Sequence, residues 1–230
     1  MEGYYTHRLA AENLKRCYEL APPRIKQYLD SELSHILNYL KAGDRVLELG
    51  CGYGRILPYL AKNACKVVGI DTSVSSLEMG KKLLSSYPNI SLMEMNALEL
   101  GFENDTFDVV VCIQNGISAF HVDQVKLIKE SIRVTKPMGI ILFSSYSEKI
   151  WDDRLKWFEL QAGKGLIGEI DYDQTKNGII ICRDGFSAST VTALRFTKLA
   201  SEFPHIKFSI KEVDRSSIFL EIIPDKKRNN

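Results

Sequence analysis

The residues Arg45–Arg55, RVLELGCGYGR, combine a short apolar run with one acid and several glycines. Glu48 interrupts a stretch that is otherwise typical of a buried strand. The glycines follow at alternate positions: Gly50, Gly52 and Gly54. A lone charge and a glycine are both disfavoured inside a strand. A ligand that carries a positive group and needs a close approach to the backbone would explain both features.

Polar residues also end the next two predicted strands. The strand KVVGI (66–70) runs into Asp71, and an acid at that tip is placed to accept hydrogen bonds from ribose hydroxyls. The third strand runs into Asn96, which the small residue Ala97 follows. The glycine run alone would also fit a tight turn that binds nothing. Suitable residues at the ends of three successive strands, namely the glycine run, Asp71 and Asn96, indicate a nucleotide-like ligand.

The residue types at the glycine turn narrow the choice of nucleotide. The dinucleotide fingerprint has a small residue where this chain has Arg55. Glu48 would lie close to a pyrophosphate and repel it. No GK[ST] follows the turn, which excludes a P-loop. A zwitterionic ligand, whose amino group is attracted to the carboxylate, suits the site better.

The elements that position these residues alternate between strand and helix. Helical spacing of apolar residues fills positions 1–40, and short apolar strands then alternate with helices through position 146. Such alternation predicts a parallel sheet covered by helices on both faces. Two closing strands, 206–213 and 216–223, are joined by a two-residue link that antiparallel neighbours need.

One segment departs from this rhythm. We expect a single domain with a helical extension at 1–40, an α/β core at 41–146 and 188–224, and an inserted cap at 147–187. Within the cap, residues 166–172 and 178–183 are expected to pair as a β-hairpin. The cap follows the fifth strand, at the sheet edge where α/β proteins bind ligands, and so is predicted to be a lid.

Composition limits the possible partners. Hydrophobic residues make up 45% of the 230 residues and the net charge is +1, which gives no broad field for nucleic acid or an anionic membrane. No apolar run approaches ~20 residues. The five cysteines are scattered and predict neither a disulfide framework nor a metal site. We expect a cytoplasmic monomer or homodimer that neither spans a membrane nor binds nucleic acid.

As a set, the motifs resemble those of class I S-adenosylmethionine-dependent methyltransferases. They are VLELGCGYGR (46–55), VVGIDTS (67–73), NALEL (96–100), FDVVVCIQNGISAF (107–120) and KPMGIILFSSYS (136–147). The resemblance implies a Rossmann-like fold with a seven-stranded, mostly parallel sheet whose last strand is antiparallel. It also implies S-adenosylmethionine (SAM) as cofactor and S-adenosylhomocysteine (SAH) as product.

The resemblance further implies which residues would hold SAM. The methionine part would lie at the first motif, the ribose at Asp71, and the adenine beside Thr72 and the third motif. Gln114 and Asn115 would lie near the transferred methyl group. The full predicted cofactor set is Glu48, Gly50, Cys51, Gly52, Gly54, Asp71, Thr72, Asn96, Ala97, Leu98, Gln114 and Asn115.

No sharp catalytic pair is visible, and methyl transfer needs little beyond alignment unless the acceptor must lose a proton. Candidates for a base or for a catalytic side chain are His121, His7 and Tyr146, each of which has a plain packing or surface interpretation. Candidates for contact with the substrate are Tyr4, Tyr5, Trp151 and Arg183.

The leading hypothesis is a methyltransferase that acts on a small molecule by direct displacement, mainly through proximity and orientation. The alternatives are an RNA or protein methyltransferase and a non-catalytic SAM-binding module. A dehydrogenase is disfavoured by Arg55 and Glu48.

Overall fold

The computed structural model describes residues 4–226 of the chain. A seven-stranded sheet has the strand order β3-β2-β1-β4-β5-β9-β8, and β6 and β7 form a separate hairpin. The strands are β1 (Arg45–Leu49), β2 (Lys66–Asp71), β3 (Ile90–Glu94), β4 (Phe107–Cys112), β5 (Thr135–Tyr146), β6 (Ile179–Ile181), β7 (Ser187–Ser189), β8 (Ile206–Val213) and β9 (Ser217–Pro224).

Helices cover the sheet and extend the chain at its N-terminus. They are α1 (Ala11–Glu19), α2 (Pro23–Leu37), α3 (Leu57–Ala61), α4 (Val74–Leu83), α5 (Gly116–Ala119), α6 (Gln124–Val134), α7 (Trp151–Gly163) and α8 (Ala193–Ala200). A short π-helical turn, Tyr4–Arg8, precedes α1 and is called the N-terminal segment below. Pro23 begins α2 because proline is favoured in the first helical turn.

The sheet confirms the expected architecture. β1 pairs in parallel with β2 and β4, β2 pairs in parallel with β3, and β4 with β5. The last strand, β9, is antiparallel to β5 and to β8. From β1 the sheet is extended first on one side, by β2 and β3, and then on the other side, by β4 and β5. Ligands of open α/β sheets bind at this switch point, beyond the carboxyl ends of the strands.

Burial explains the near-continuous apolar strands. Val46, Leu47, Val110 and Val111 are all fully buried, since β1 and β4 lie at the centre of the sheet with helices on both faces. Glu48 therefore lies in a strand that is almost completely shielded from solvent. Ionisation of its carboxyl is costly there unless a positive charge or hydrogen-bond donors compensate it.

The cap contains a hairpin, and the predicted pairing of residues 166–172 with 178–183 is present only as a short antiparallel contact, in which the Asp171 N–H donates to Ile181 O and the Arg183 N–H donates to Glu169 O, both at 2.9 Å. β6 pairs with the strand that follows it, β7, whereas residues 166–172 contribute one isolated bridge, Ile170 to Cys182. The turn passes through Asp184-Gly185, a strong hairpin dipeptide, and Gly185 has a φ of 93°. The hairpin ends at Ser189, and the assignment of residues 147–187 as a lid stays a prediction.

Helix boundaries are shorter than the apolar periodicity suggests. The sequence predicts helix over 55–63 and 122–134, whereas α3 and α6 are Leu57–Ala61 and Gln124–Val134. Asp123 caps α6 by accepting hydrogen bonds from the Val125 and Lys126 N–H groups. Within residues 4–226, no helix has the length and apolar character needed to cross a membrane.

Candidate functional site

A cavity lies beyond the carboxyl ends of β1, β2 and β4, below the N-terminal segment and α1. Its walls combine the strand tips with aromatic side chains from the N-terminus. The lining residues are Tyr4, Tyr5, Thr6, Leu9, Leu14, Tyr18, Glu48, Gly50, Cys51, Gly52, Tyr53, Arg55, Ile56, Ile70, Asp71, Thr72, Ser76, Met95, Asn96, Ala97, Ile113, Gln114, Gly116, Ala119, Phe120, His121 and Val122.

The glycine turn after β1 needs its glycines for two reasons. Gly50 and Gly52 have φ values of 72° and 55°, in the left-handed region that side chains resist. A Cβ on Gly50 would lie 2.5 Å from the Phe120 ring, and one on Gly52 would lie 2.8 Å from Leu14. The backbone of this turn is therefore exposed to the cavity between two apolar side chains.

Glu48 has a carboxylate without a complete set of partners. Its side chain is buried, 7% exposed, and its Oε2 has no hydrogen-bond donor among the described residues. Burial raises the pKa of Glu48 to about 8; nearby Arg55 opposes that rise and nearby Asp71 adds to it. A positive group placed in the cavity would stabilise the ionised carboxylate.

The guanidinium of Arg55 also has a nitrogen atom without a hydrogen-bond partner among the described residues. It lines the same cavity, and its Nη2 is buried without a hydrogen-bond partner among residues 4–226. Its Cζ lies 4.7 Å from the centre of the Tyr18 ring, which favours the cation but supplies no counter-charge. The cavity thus offers an unpaired carboxylate oxygen and an unpaired guanidinium nitrogen to the same ligand.

Asp71 is fixed at the tip of β2 by the backbone. Its Oδ2 accepts from the Gly52 N–H at 2.7 Å, and its Oδ1 accepts from the Ser73 N–H at 2.8 Å. Burial raises the pKa of Asp71, and these backbone hydrogen bonds oppose that rise. The carboxylate keeps lone pairs beyond these two contacts, as a group that holds hydroxyls must.

The tip of β3 brings its polar residue to the cavity. Asn96 and Ala97 both line it, and the Asn96 Oδ1 accepts from the Leu98 N–H at 2.9 Å. That local turn leaves the Asn96 amide nitrogen to other partners. Leu98 itself packs against the main core and does not line the cavity.

Gln114 stands at the tip of β4 in a strained conformation. Gln114 and Asn115 have φ values of 53° and 64°, which non-glycine residues adopt only under constraint. The Gln114 N–H is held by Glu32 Oε2 at 3.0 Å and by the Ser144 hydroxyl at 2.9 Å, and its Oε1 accepts from the Tyr18 hydroxyl at 2.6 Å.

The N-terminal segment ties the site to the cap. The hydroxyls of Thr6 and Thr72 lie 3.2 Å apart, at the tip of β2. On the other side, the Tyr4 hydroxyl donates to Asp184 at 2.8 Å, and Arg8 forms an ion pair with the same carboxylate. Tyr4 and Tyr5 consequently form part of the cavity wall.

Several predicted site residues do not reach the cavity. Gly54 faces away, since a Cβ there would lie 2.6 Å from Leu84. Asn115 is buried, its amide donating to Ser189 O at 2.8 Å and its oxygen accepting from the Ser145 hydroxyl at 2.7 Å. That contact anchors the hairpin to β5, so the expected place of Asn115 near the methyl group is not what the structure shows.

The same holds for four candidates for catalysis or substrate binding. His7 is exposed outside the cavity. Tyr146 and Trp151 pack around Arg154 in the cap, at 4.3 and 5.8 Å from its Cζ to their ring centres. Arg183 is exposed, 3.4 Å from Glu169. The three other candidates, His121, Tyr4 and Tyr5, do line the cavity.

Sequence reasoning missed the roles of Tyr18 and Phe120 at this site. Tyr18 is an ordinary apolar position of the α1 periodicity, and Phe120 lies in the quoted fourth motif. No local signal places either beside the glycine turn, because both arrive through long-range packing of other elements on the sheet.

Comparison with known proteins agrees with this geometry. A protein-family model described as a methyltransferase domain matches residues 46–139, which carry the glycine turn and all the strand tips described above. Over these residues the resemblance to the class I S-adenosylmethionine-dependent methyltransferase superfamily is confirmed. SAM is the cofactor of that superfamily.

Known proteins resemble either part of the sequence or the whole fold. A demethylmenaquinone methyltransferase of Lysinibacillus sphaericus is 36% identical over 107 residues, which cover 45% of this chain and 44% of the relative. The chain is therefore matched to less than half the length of that relative.

Solved structures share the fold over almost the whole chain. The PH0226 protein of Pyrococcus horikoshii OT3 is 21% identical with a TM-score of 0.67, covering 97% of this chain and 99% of its own. A SAM-dependent methyltransferase of Aquifex aeolicus is 16% identical with a TM-score of 0.61, covering 91% and 97%.

Proposed function

We propose that the protein binds SAM in this cavity and transfers its methyl group to a small-molecule acceptor. The observation that carries the proposal is the pair of unpartnered buried groups, Glu48 Oε2 and Arg55 Nη2. The methionine part of SAM has an ammonium and a carboxylate on one carbon. It therefore brings a charged donor for Glu48 Oε2 and a charged acceptor for Arg55 Nη2.

The remaining contacts follow from the strand tips. Asp71, held by two backbone N–H groups, would accept hydrogen bonds from the ribose hydroxyls. Thr72, Asn96 and Ala97 would border the adenine. Gln114 would lie toward the reacting end, held in place by Glu32 and Tyr18.

When bound, SAM would supply a methyl group that bonds to the acceptor as its bond to the positively charged sulfur breaks, with SAH as the neutral leaving group. The chain's own contribution is alignment. The rigid β4 tip, the tyrosines of the N-terminal segment and the fixed glycine turn confine both reactants and exclude water. A small-molecule acceptor is supported by the similarity to the Lysinibacillus sphaericus protein, a demethylmenaquinone methyltransferase.

Calorimetry with SAM, SAH and NAD tests the cofactor assignment. SAM and SAH are expected to bind far more tightly than NAD. Asp71→Ala is expected to weaken SAM binding by about 1–3 kcal/mol, the cost of lost hydrogen bonds at the ribose. Asp123→Ala, which removes the cap of α6, is the matched control and should leave SAM affinity unchanged. Tighter binding of NAD than of SAM would contradict the proposal.

A further inference from the structure

Arg154, near the start of α7, is a buried cation that the cofactor site does not use. Its side chain is fully buried. Its Nη1 donates to Gly178 O at 2.9 Å and its Nη2 donates to Ala188 O at 2.8 Å. Both acceptors are neutral carbonyls, and no ion pair joins Arg154 to any carboxylate in residues 4–226. Arginine stays protonated in proteins, so Arg154 carries a positive charge that has lost its solvation and has no counter-ion.

Aromatic rings surround this cation. The Arg154 Cζ lies 4.3 Å from the ring centre of Tyr146, 5.4 Å from that of Phe158 and 5.8 Å from that of Trp151. Such faces offset part of the cost of burying a guanidinium, but they carry no net charge.

Two donors in this cluster have no acceptor. The Arg154 Nε is buried without a hydrogen-bond partner, and so is the hydroxyl of Tyr28, whose ring lies 5.2 Å from that of Tyr146. Glu32, one turn further along α2, accepts from the Gln114 N–H and the Ser217 hydroxyl and is also a neighbour of the Tyr28 hydroxyl, whereas the Arg154 Nε has no carboxylate beside it among residues 4–226. Unmade hydrogen bonds of buried groups are costly, and a ligand that accepts from both would remove the cost.

Aromatic side chains separate the cluster from the cofactor cavity, and Tyr5 is the one that lines the cavity. Tyr5 lines the cavity, and its ring lies 6.1 Å from that of Phe186, which is 5.9 Å from the ring of Phe158 beside Arg154. Tyr5 belongs to the N-terminal segment, which is attached through side-chain contacts to Asp184 and Thr72.

We propose that Arg154 anchors the carboxylate of a planar methyl acceptor, which reaches it from the cofactor cavity when Tyr5 moves aside. The guanidinium has five N–H donors, of which two serve the carbonyls of Gly178 and Ala188. Those that remain, Nε–H among them, match a carboxylate in charge and geometry. The aromatic side chains around Arg154 make the surroundings of that carboxylate apolar and suit an acceptor with a flat ring. This inference rests on the proposed function and names the chemical class of its acceptor.

Calorimetry on the SAH-loaded protein tests the proposal with benzoate and benzamide, which share shape and size and differ in charge. Benzoate is expected to bind at least about tenfold more tightly, the scale of one charge-assisted hydrogen bond. Arg154→Gln should abolish that preference. Arg154→Lys keeps the charge without the planar fork and should retain only part of it. Arg183→Gln, which changes an exposed cap arginine, is the matched control and should retain all of it.

SAH affinity, measured for every variant, separates the possible failures. Normal SAH binding with equal binding of benzoate and benzamide, or with neither bound, would overturn the anchor while leaving the proposed function in place. A preference for benzoate that survives in Arg154→Gln would do the same. Cyclohexanecarboxylate is expected to bind less tightly than benzoate, and equal affinity would overturn the planar class. Failure of the wild-type protein to bind SAH would overturn both proposals.

Discussion

Two glutamates of the same sheet are equally buried and have opposite surroundings. Glu48 on β1 is 7% exposed and Glu221 on β9 is 5% exposed. Glu221 lies within 2.9 Å of donor atoms on His35, Tyr39, Lys211 and Ser209. Glu48 has an oxygen with no donor among the described residues.

The pKa values of the two carboxyls separate accordingly. Burial raises both, but at Glu221 the hydrogen bonds from Lys211, Tyr39 and other donors outweigh it and lower the pKa below its usual value. At Glu48 burial prevails and the pKa rises to about 8. A carboxylate that only serves the fold is satisfied within the fold, whereas Glu48 is left to be satisfied by a ligand.

Glu48→Gln gives the largest expected effect and tests this difference directly. It should weaken SAM binding by about 2–5 kcal/mol, since it removes one member of a buried charge pair with the ligand's ammonium. It should not destabilise the unliganded protein near pH 7, because the raised pKa keeps Glu48 protonated there and the substitution removes no charge. Calorimetry and urea unfolding measure the two quantities. Unchanged SAM affinity would end the assigned role of Glu48.

Glu221→Gln is the matched substitution at the other site. It should lower the free energy of unfolding by about 1.5–3 kcal/mol, because charged hydrogen bonds to Lys211 and its neighbours are lost. SAM affinity should stay at the wild-type value. A variant that loses SAM binding without losing stability would show that the two glutamates do not divide structure from function.

The pH dependence of stability should have opposite signs at the two sites. In the unliganded protein Glu48 holds a proton up to a pKa of about 8, whereas its unfolded value is 4.5. The folded state therefore binds more protons between these values, and stability falls as pH rises, by up to about 1.4 kcal/mol per pH unit. At Glu221, whose pKa is lowered, the contribution is lost as pH falls.

Glu32, whose burial raises its pKa to about 7, has the same sign as Glu48. Thermal unfolding of the wild-type protein and of Glu48→Gln over pH 5–8 isolates the contribution of Glu48 by difference. The variant should show a shallower fall in stability. Saturating SAM should flatten the wild-type curve, and parallel curves without SAM would contradict the raised pKa.

The sequence predicted the parts of the site that lie on strand tips. Glu48, Asp71 and Asn96 follow apolar runs, and the carboxyl ends of parallel strands meet at one edge, so local pattern was sufficient to bring them together. The family resemblance implied a place for Asn115 beside Gln114 at the reacting end, whereas its amide donates to Ser189 O in the hairpin.

Contacts between residues that are far apart in the sequence could not be predicted from the local pattern. Arg55 was used only to exclude a dinucleotide, because nothing in the glycine motif shows that α1 brings the Tyr18 ring against it. The longer pairing of β6 with β7 has a local signal in the Asp184-Gly185 dipeptide, which favours a hairpin turn between them.

Two tyrosines give the smallest expected effect and the finest test of the contrast between the glutamates. Tyr18→Phe keeps the ring beside Arg55 and removes the hydroxyl that donates to Gln114 at 2.6 Å. It should weaken SAM binding by about 1 kcal/mol, the net value of one hydrogen bond.

Tyr39→Phe removes an equivalent hydroxyl, which donates to Glu221 at 2.7 Å. It should lower the free energy of unfolding by about 1 kcal/mol and leave SAM affinity unchanged. Calorimetry and urea unfolding of both variants provide a crossed comparison. If both tyrosines altered only stability, the network from α1 to the β4 tip would serve the fold, and the unpaired charge of Glu48 would be the sole feature that distinguishes the site.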